Sequence, residues 1–210
     1  MATPTQLTQP KTRTAILKAA VELASLHGLQ QLSLARLAAA AKMSKSGLFA
    51  HFGSKEELQL ATIQTAWGIF EGQVLRDPAG EREAERRLGE LLERWLVFSE
   101  RRVFPGGCLF AHQAVEFSTR PGPVNNALTI AVACQIEALE ERVAAAQRAS
   151  GRRGKDPAEL AFQLYSIVIN ADGLSRVQND PVVFDRARAT IRTTLPATNT
   201  PDNRRARLPN

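Results

Sequence analysis

Hydroxyl and basic side chains are concentrated between Ser33 and Lys55, where Ser44, Lys45 and Ser46 stand in a row. A lysine can donate to the O6 and N7 acceptors of guanine, and a serine can bond to a base edge or to a phosphate oxygen. The chemistry that these residue types predict is hydrogen bonding to a nucleic acid duplex.

Three short helices would position these side chains. Ser33, Ser44 and Ser54 are each placed to cap a helix, and Ser54 begins a Ser-Lys-Glu-Glu capping box. The first two capped segments have the proportions of a helix-turn-helix, whose second helix enters the major groove by its N-terminal end. The side chains expected to hold the helices together are Leu37, Ala38, Ala41, Leu48 and Phe52.

The positive charge of the chain lies in the same region. Residues 1–55 contain seven Lys and Arg against the single acid Glu22, while the rest of the chain is balanced, so the net charge of +6 is N-terminal. Localised positive charge favours a polyanionic partner. A solubilising surface excess is the alternative.

A longer string then resembles a known family. Leu48-Phe49-Ala50-His51-Phe52-Gly53-Ser54-Lys55-Glu56-Glu57-Leu58 resembles the Leu-Tyr-X-His/Tyr-Phe, turn, Ser/Asn-Lys-Glu-X-Leu pattern of the tetracycline-repressor (TetR) family. The likeness runs without gaps from about Thr14 to Ile63 and includes Gly28 after the first helix. It implies a DNA-binding head followed by helices that dimerise and sense a small molecule.

Carried over by position, the resemblance implies a DNA-contacting set: Ser33, Arg36, Ser44, Lys45, Ser46, Gly47, Leu48, Phe49, His51 and Lys55. Lys45 and Ser46 would read base edges, with the next two residues near the groove floor. Ser44, His51 and Lys55 would contact phosphates. Ser33 and Arg36 would approach the DNA backbone from the preceding helix.

Two positions depart from the family pattern. Phe49 stands where the family usually has Tyr, so a phosphate-bonding hydroxyl is missing, although the ring can pack on a sugar or a thymine methyl. Ala35 occupies a position where some members carry a base-reading Arg. Each of these residues also has a plainer interpretation if the motif is set aside. Lys45 and Lys55 would be ordinary solvated cations, His51 would be a surface histidine, and Phe49 would be a core residue.

The rest of the chain has the apolar period of helices, so we predict an all-α protein of about nine helices. The expected parts are a disordered arm over 1–10, a helix-turn-helix domain over 11–55, a helical effector-binding and dimerisation domain over 56–196, and a flexible basic tail over 197–210. The run 158–177 is apolar nearly all round, so a partner subunit is its simplest cover. We therefore expect a homodimer on double-stranded, palindromic operator DNA.

Aromatic side chains with a few polar tips mark a candidate effector pocket. The pocket candidates are Trp95, Phe98, Phe110, His112, Phe117, Tyr165 and Asn170. Ordinary core packing is the competing interpretation for each of them. Asn170 and Asp172 interrupt the apolar run and could bond either across a dimer or into the cavity.

Other classes of function find less support. The sequence shows no catalytic triad spacing, clustered carboxylates or phosphate-binding Gly loop, so neither an enzyme nor a cofactor is expected. Cys108 and His112 share a helical spacing, but two ligands do not make a site, and no metal is predicted. A polar N-terminus and the lack of an apolar run of ~18 residues favour a cytoplasmic protein without a membrane partner. We predict a repressor that an unidentified effector releases; the alternative is a dimeric DNA-binding regulator without a ligand.

Overall fold

The structure, a computed structural model, describes residues 9–40, 44, 46, 48, 51–77, 83–151 and 154–195 of the 210-residue chain. This part of the chain contains helices and no strand, which confirms the all-α prediction. Its eight α-helices are α1 Gln9–His27, α2 Leu34–Ala40, α3 Lys55–Phe70, α4 Ala84–Glu100, α5 Leu109–Phe117, α6 Pro123–Ser150, α7 Pro157–Val177 and α8 Val182–Thr194.

Three predicted segments lie wholly or largely outside the described residues. They are most of the N-terminal arm, the basic tail, and most of the helix predicted from Lys45 to Phe52. Within that last stretch, Ser46 and Leu48 are helical. The first helix already includes Gln9 and Pro10.

Capping side chains mark the starts of α2 and α3. The Ser33 hydroxyl accepts the Arg36 N–H at 3.2 Å at the start of α2. The Ser54 hydroxyl accepts the Glu57 N–H at 3.0 Å at the start of α3. The Glu57 carboxylate accepts the Gly53 N–H at 3.0 Å, one residue before the N–H that an ideal capping box would use.

The C-terminal helices build a body around α6, which packs against α3, α4, α5 and α7, while α8 packs on α7. The buried side chains of α4 recur on one face, as an amphipathic helix requires. They are Leu88, Leu91, Leu92, Trp95, Leu96, Phe98 and Ser99. None of the described helices has the length and apolar character needed to cross a membrane.

The helix α3 joins the head to the body, since it packs on α1 and on α6. It continues into a π-helical turn, Glu71–Leu75. Arg142 of α6 donates to the Leu75 carbonyl at 2.7 Å and lies 3.4 Å from Asp77. Arg94 of α4 also bonds to Asp77, at 3.2 Å. These charge-assisted bonds fix the far end of the connecting helix.

Candidate nucleic-acid interface and internal cavity

The predicted recognition segment separates polar from apolar side chains. Ser44 and Ser46 are exposed, whereas Leu48, which the resemblance places near the groove floor, is buried inside the head. The Leu48 N–H donates to the Ser44 carbonyl at 3.1 Å, so a helical turn begins at Ser44. The two serine hydroxyls lie 3.3 Å apart at this helix start. They are open to solvent where groove-contacting groups are needed.

Buried side chains anchor this segment. Four of the five packing residues predicted for the head are buried, namely Leu37, Ala38, Leu48 and Phe52. The fifth, Ala41, lies outside the described residues. The guanidinium of Arg13 lies 5.1 Å from the centroid of the Phe52 ring, a cation–π distance. Full burial of a large apolar side chain stabilises by about 1.5–3 kcal/mol. Leu48 and Phe52 therefore anchor this end of the segment in the head.

The other side chains predicted to contact DNA are spread over the head. Arg36 and Lys55 are exposed, and His51 is half-buried with its ring tilted against Phe52 at 6.4 Å. The Lys55 ammonium donates to the Gln30 carbonyl at 2.6 Å. A phosphate would have to share or replace that bond.

Ser33 uses its hydroxyl as the cap of α2. Lys45, Gly47 and Phe49 lie outside the described residues. Their contacts with DNA stay predictions.

Buried hydrogen bonds around Leu29 join the head to the body. The Leu29 N–H donates to Gln113 Oε1 on α5 at 2.6 Å, and the Leu29 carbonyl accepts from Gln59 Nε2 on α3 at 2.7 Å. The preceding Gly28 has φ +87°, and a Cβ there would lie 2.8 Å from Glu116 Oε2. Side chains of two other helices thus fix both the N–H and the carbonyl of Leu29.

A second contact between head and body lies at Gly106, in the loop between α4 and α5. Its N–H donates to the buried Ser25 hydroxyl of α1 at 3.0 Å. A Cβ on Gly106 would lie 1.6 Å from the Ser25 carbonyl oxygen, which is backbone and cannot move aside alone. Glycine therefore permits this approach of two backbones, and a larger residue would separate them.

Sequence reasoning missed these joining residues. Gln113 lies three residues after Phe110 and four before Phe117, so it shares their face of α5. A glutamine on an otherwise apolar helix face is the signal that was available. It marks a buried side chain that must find a hydrogen-bond partner.

Four of the predicted pocket aromatics lie in the core of the body: Trp95, Phe98, Phe110 and Phe117 are buried. Trp95 and Phe98 border an internal cavity together with Phe70, Phe104, Cys108 and Asp172. The rings meet edge to face, as aromatic pairs prefer, with centroids 4.9 Å apart for Phe70 and Trp95. The cavity has a volume of about 10 Å³, which is room for about one water molecule.

A buried carboxylate forms the polar end of the cavity. Asp172 of α7 is almost fully buried, and its Oδ2 accepts the Cys108 N–H at 2.8 Å, directly before α5. His112 Nε2 lies 3.8 Å from the same oxygen, and Arg176 Nη1 lies 3.4 Å from His112 Nδ1. Gly107 lies against this group with φ +89°, and a Cβ there would come within 2.5 Å of Asp172 Oδ2.

Burial determines the protonation of the groups at this end. Burial lowers the pKa of His112, an effect that Asp172 opposes and Arg176 reinforces. Burial raises the pKa of the Cys108 thiol to about 12, so the thiol is protonated at neutral pH. Among the described residues, no three His, Cys, Asp or Glu side chains come together as metal ligands would.

The remaining pocket candidates are placed differently. Tyr165 is half-buried, and its ring meets Trp95 edge to face with the ring centroids 5.9 Å apart. Asn170 is exposed, and its amide donates to the Ser166 carbonyl of its own helix at 2.8 Å. Of the two polar residues in the apolar run, Asp172 therefore faces the cavity and Asn170 faces solvent.

Comparisons with known proteins agree with this architecture. The family model "Tetracyclin repressor-like, C-terminal domain" matches residues 84–191, and "Bacterial regulatory proteins, tetR family" matches residues 16–62. A search among curated proteins finds no match.

Solved structures share the fold. A TetR transcriptional regulator from Chloroflexus aurantiacus J-10-FL has a TM-score of 0.80 and 22% identity, over 90% of this chain and 96% of that one. AibR, solved with isovaleryl coenzyme A and operator DNA, has a TM-score of 0.69 and 22% identity, over 88% and 97%. A transcriptional regulator from Saccharomonospora viridis, solved with choline, has a TM-score of 0.75 and 18% identity, over 88% and 95%.

The C-terminal match alone spans more than half of the chain, and the N-terminal match covers the helix-turn-helix described above. The chain belongs to the tetracycline-repressor family of bacterial transcriptional regulators.

Proposed function

We propose that this regulator is a homodimeric repressor, that it binds a palindromic operator through the helix beginning at Ser44, and that a small-molecule effector releases it. The observation that carries the DNA-binding assignment is the exposure of Ser44 and Ser46 opposite the buried Leu48. In this arrangement Lys45 and Ser46 would read bases. Arg36, His51 and Lys55 would contact the sugar–phosphate backbone.

An apolar stripe on α7 and α8 supports the dimer. Phe162, Leu174, Val177 and Val182 are 65%, 44%, 84% and 47% exposed. A stripe of large apolar side chains open to water favours a covering partner. A second copy of the same helices supplies one with two-fold symmetry. Asn170 is exposed on α7 as well, so we assign it to this dimer face rather than to the pocket.

A two-fold dimer predicts the form of its operator. Two recognition helices would occupy half-sites one turn of DNA apart, ~34–36 Å. If each subunit neutralises about four phosphates, the salt dependence has a slope of about −7, and affinity falls on the order of 10⁴-fold between 50 and 200 mM salt.

The junction between head and body supports release by an effector. The Cys108 N–H is bonded to Asp172 at the cavity, and Gln113 on the following helix is bonded to Leu29 in the head. A ligand that moves α5 would therefore move the head. AibR and the Saccharomonospora viridis regulator, which share this fold, were solved with small molecules bound. Shifting such a switch from 1:99 to 99:1 needs ~5.5 kcal/mol of differential affinity.

The nearly filled core favours a second candidate function. With space of about 10 Å³, the cavity takes an effector only after its aromatic rings separate. A regulator whose body solely dimerises would have such a core. The two candidates differ in one result: a ligandless regulator stays on its operator in the presence of every small molecule tried.

The DNA-binding assignment is tested by gel shift with duplexes from the region upstream of the gene. We expect the double variant Lys45→Ala, Lys55→Ala to lose the shift while remaining dimeric in sedimentation. The matched control is Arg148→Ala with Lys155→Ala, which removes two cations from the body and should shift DNA like the wild type. Retention of the shift by the head variant at 150 mM salt, a concentration at which screening is strong, would refute the contact assignment.

A further inference from the structure

A buried amide near the cavity lacks hydrogen-bond partners. Gln135, on α6, is fully buried, and neither its Nε2 nor its Oε1 has a partner in the described part of the chain. Buried polar side chains are almost always paired, because unpaired ones have lost their bonds to water without replacement. Gln135 therefore presents one unused donor group and one unused acceptor inside the protein.

The surroundings of Gln135 connect it to the cavity. Cys108 borders the cavity, and its thiol, a weak hydrogen-bond partner, is a neighbour that the Gln135 side chain approaches without satisfying its amide. Tyr165, whose ring contacts Trp95, also interacts with Cys108. Burial raises the pKa of both Cys108 and Tyr165, so both are neutral near pH 7. The amide thus belongs to an uncharged polar group beside a cluster of aromatic rings.

We propose that Gln135 is the polar anchor of the effector subsite and that the effector is a neutral molecule with a carboxamide or lactam group on an apolar body. This inference rests on the proposed effector-released repressor and names the class of its ligand. The carboxamide N–H would donate to Gln135 Oε1, and its carbonyl would accept from Nε2. The apolar body would lie among Phe70, Trp95, Phe98 and Phe104.

Charge and hydrogen-bond capacity select this class over charged ligands. An ammonium ion carries donors alone, so it would leave the Nε2 hydrogens unpaired. A carboxylate carries acceptors alone, so it would leave Oε1 unpaired, and it would be brought near the buried carboxylate of Asp172. A planar group with a donor beside an acceptor satisfies both atoms at once.

Four probes of equal ring size separate these possibilities: benzamide, benzylamine, benzoate and toluene. Each is added at millimolar concentration to the full-length protein without DNA, and the melting temperature is followed. We expect benzamide to raise the melting temperature more than the other three. In the wild type, benzamide should also shift the side-chain NH₂ signals of Gln135 in an NMR spectrum.

The variant Gln135→Met keeps the side-chain length and removes the amide. We expect it to bind benzamide at least about tenfold more weakly, the effect of losing two buried hydrogen bonds of modest net strength, with an unliganded melting temperature equal to or above that of the wild type. The control Gln147→Met, on the same helix, should bind benzamide normally. Its amide bonds to the Lys155 carbonyl on the surface.

Results that would overturn the Gln135 subsite differ from results that would overturn the proposed repressor function. Equal shifts with toluene and benzamide, unchanged benzamide binding by Gln135→Met, or a lowered melting temperature of unliganded Gln135→Met would each overturn the inference. The last result would mean that the amide has a structural partner. Loss of operator binding with specific benzamide binding intact would refute the repressor and leave the subsite standing.

Discussion

The side-chain oxygen of Gln113 accepts the backbone N–H of Leu29 at 2.6 Å, across 84 residues of sequence. Gln113 lies on α5, whose preceding residue Cys108 borders the cavity, while Leu29 follows the first helix of the DNA-binding head. This buried bond thus joins α5, the helix that follows the cavity residue Cys108, to the loop between the first two helices of the head.

Removing this bond should uncouple the two regions. In Gln113→Met the buried Leu29 N–H loses its acceptor, which costs about 1–3 kcal/mol of unfolding free energy. We expect chemical denaturation to show that loss and the effector concentration for half-release from operator DNA to change. Gln64→Met, at an exposed position of the same head-to-body helix α3, is the control. If both variants respond to effector like the wild type, the bond does not carry the coupling.

A side chain at Gly106 should push the head away from the body. In Gly106→Ala the new Cβ would lie 1.6 Å from the Ser25 carbonyl oxygen, so one backbone must move. We expect a loss of about 1–3 kcal/mol, the usual cost of overpacking, measured by chemical denaturation together with weaker operator binding.

Gly89 offers the matched control within α4. A Cβ there would meet no described atom within 4 Å. Gly89→Ala should therefore leave operator binding unchanged and stabilise the helix by roughly 0.5–1 kcal/mol. A Gly106→Ala protein as stable as this control would contradict the close approach.

The sequence predicted the fold and the outline of the head because both depend on local signals. Helix caps at Ser33 and Ser54 and the buried spacing of Leu37, Leu48 and Phe52 follow from residue type and period. These features need no information about distant parts of the chain.

The junction and the polar end of the cavity depend on long-range pairing. The contacts of Gln113 with Leu29 and of Asp172 with Cys108 join residues 84 and 64 positions apart. No period or cap encodes such partners, so Asn170 and Asp172 could not be told apart from sequence. The face of α7 that packs on the body carries Asp172, whereas Asn170 lies on the exposed face.

Acid should destabilise the protein through His112. Burial lowers the pKa of this histidine below its ordinary value of 6.5, with Asp172 opposing the shift and Arg176 reinforcing it. Between the lowered and the ordinary pKa, the unfolded chain binds a proton that the folded chain does not, so stability falls as the pH drops below 6.5. Denaturation midpoints measured from pH 7.5 to 5 should show this slope.

His112→Gln should flatten that slope, because the variant has no imidazole to titrate. The control is His27→Gln, since His27 is exposed on α1. A His112→Gln protein with the same pH dependence as the His27→Gln protein would assign the acid sensitivity to other groups.

The dimer face is tested by two exposed valines in different places. Val177, 84% exposed, lies on α7 in the apolar stripe, and Val115, 76% exposed, lies on α5. Glutamate at position 177 would place two like charges, one from each subunit, in the proposed two-fold interface, so Val177→Glu should shift the dimer toward monomer in sedimentation equilibrium. Val115→Glu makes the same chemical change away from that stripe and should remain dimeric. Because a monomer presents one recognition helix, Val177→Glu should also lose its preference for a two-half-site operator over a single half-site, whereas an unchanged dimer would place the interface elsewhere.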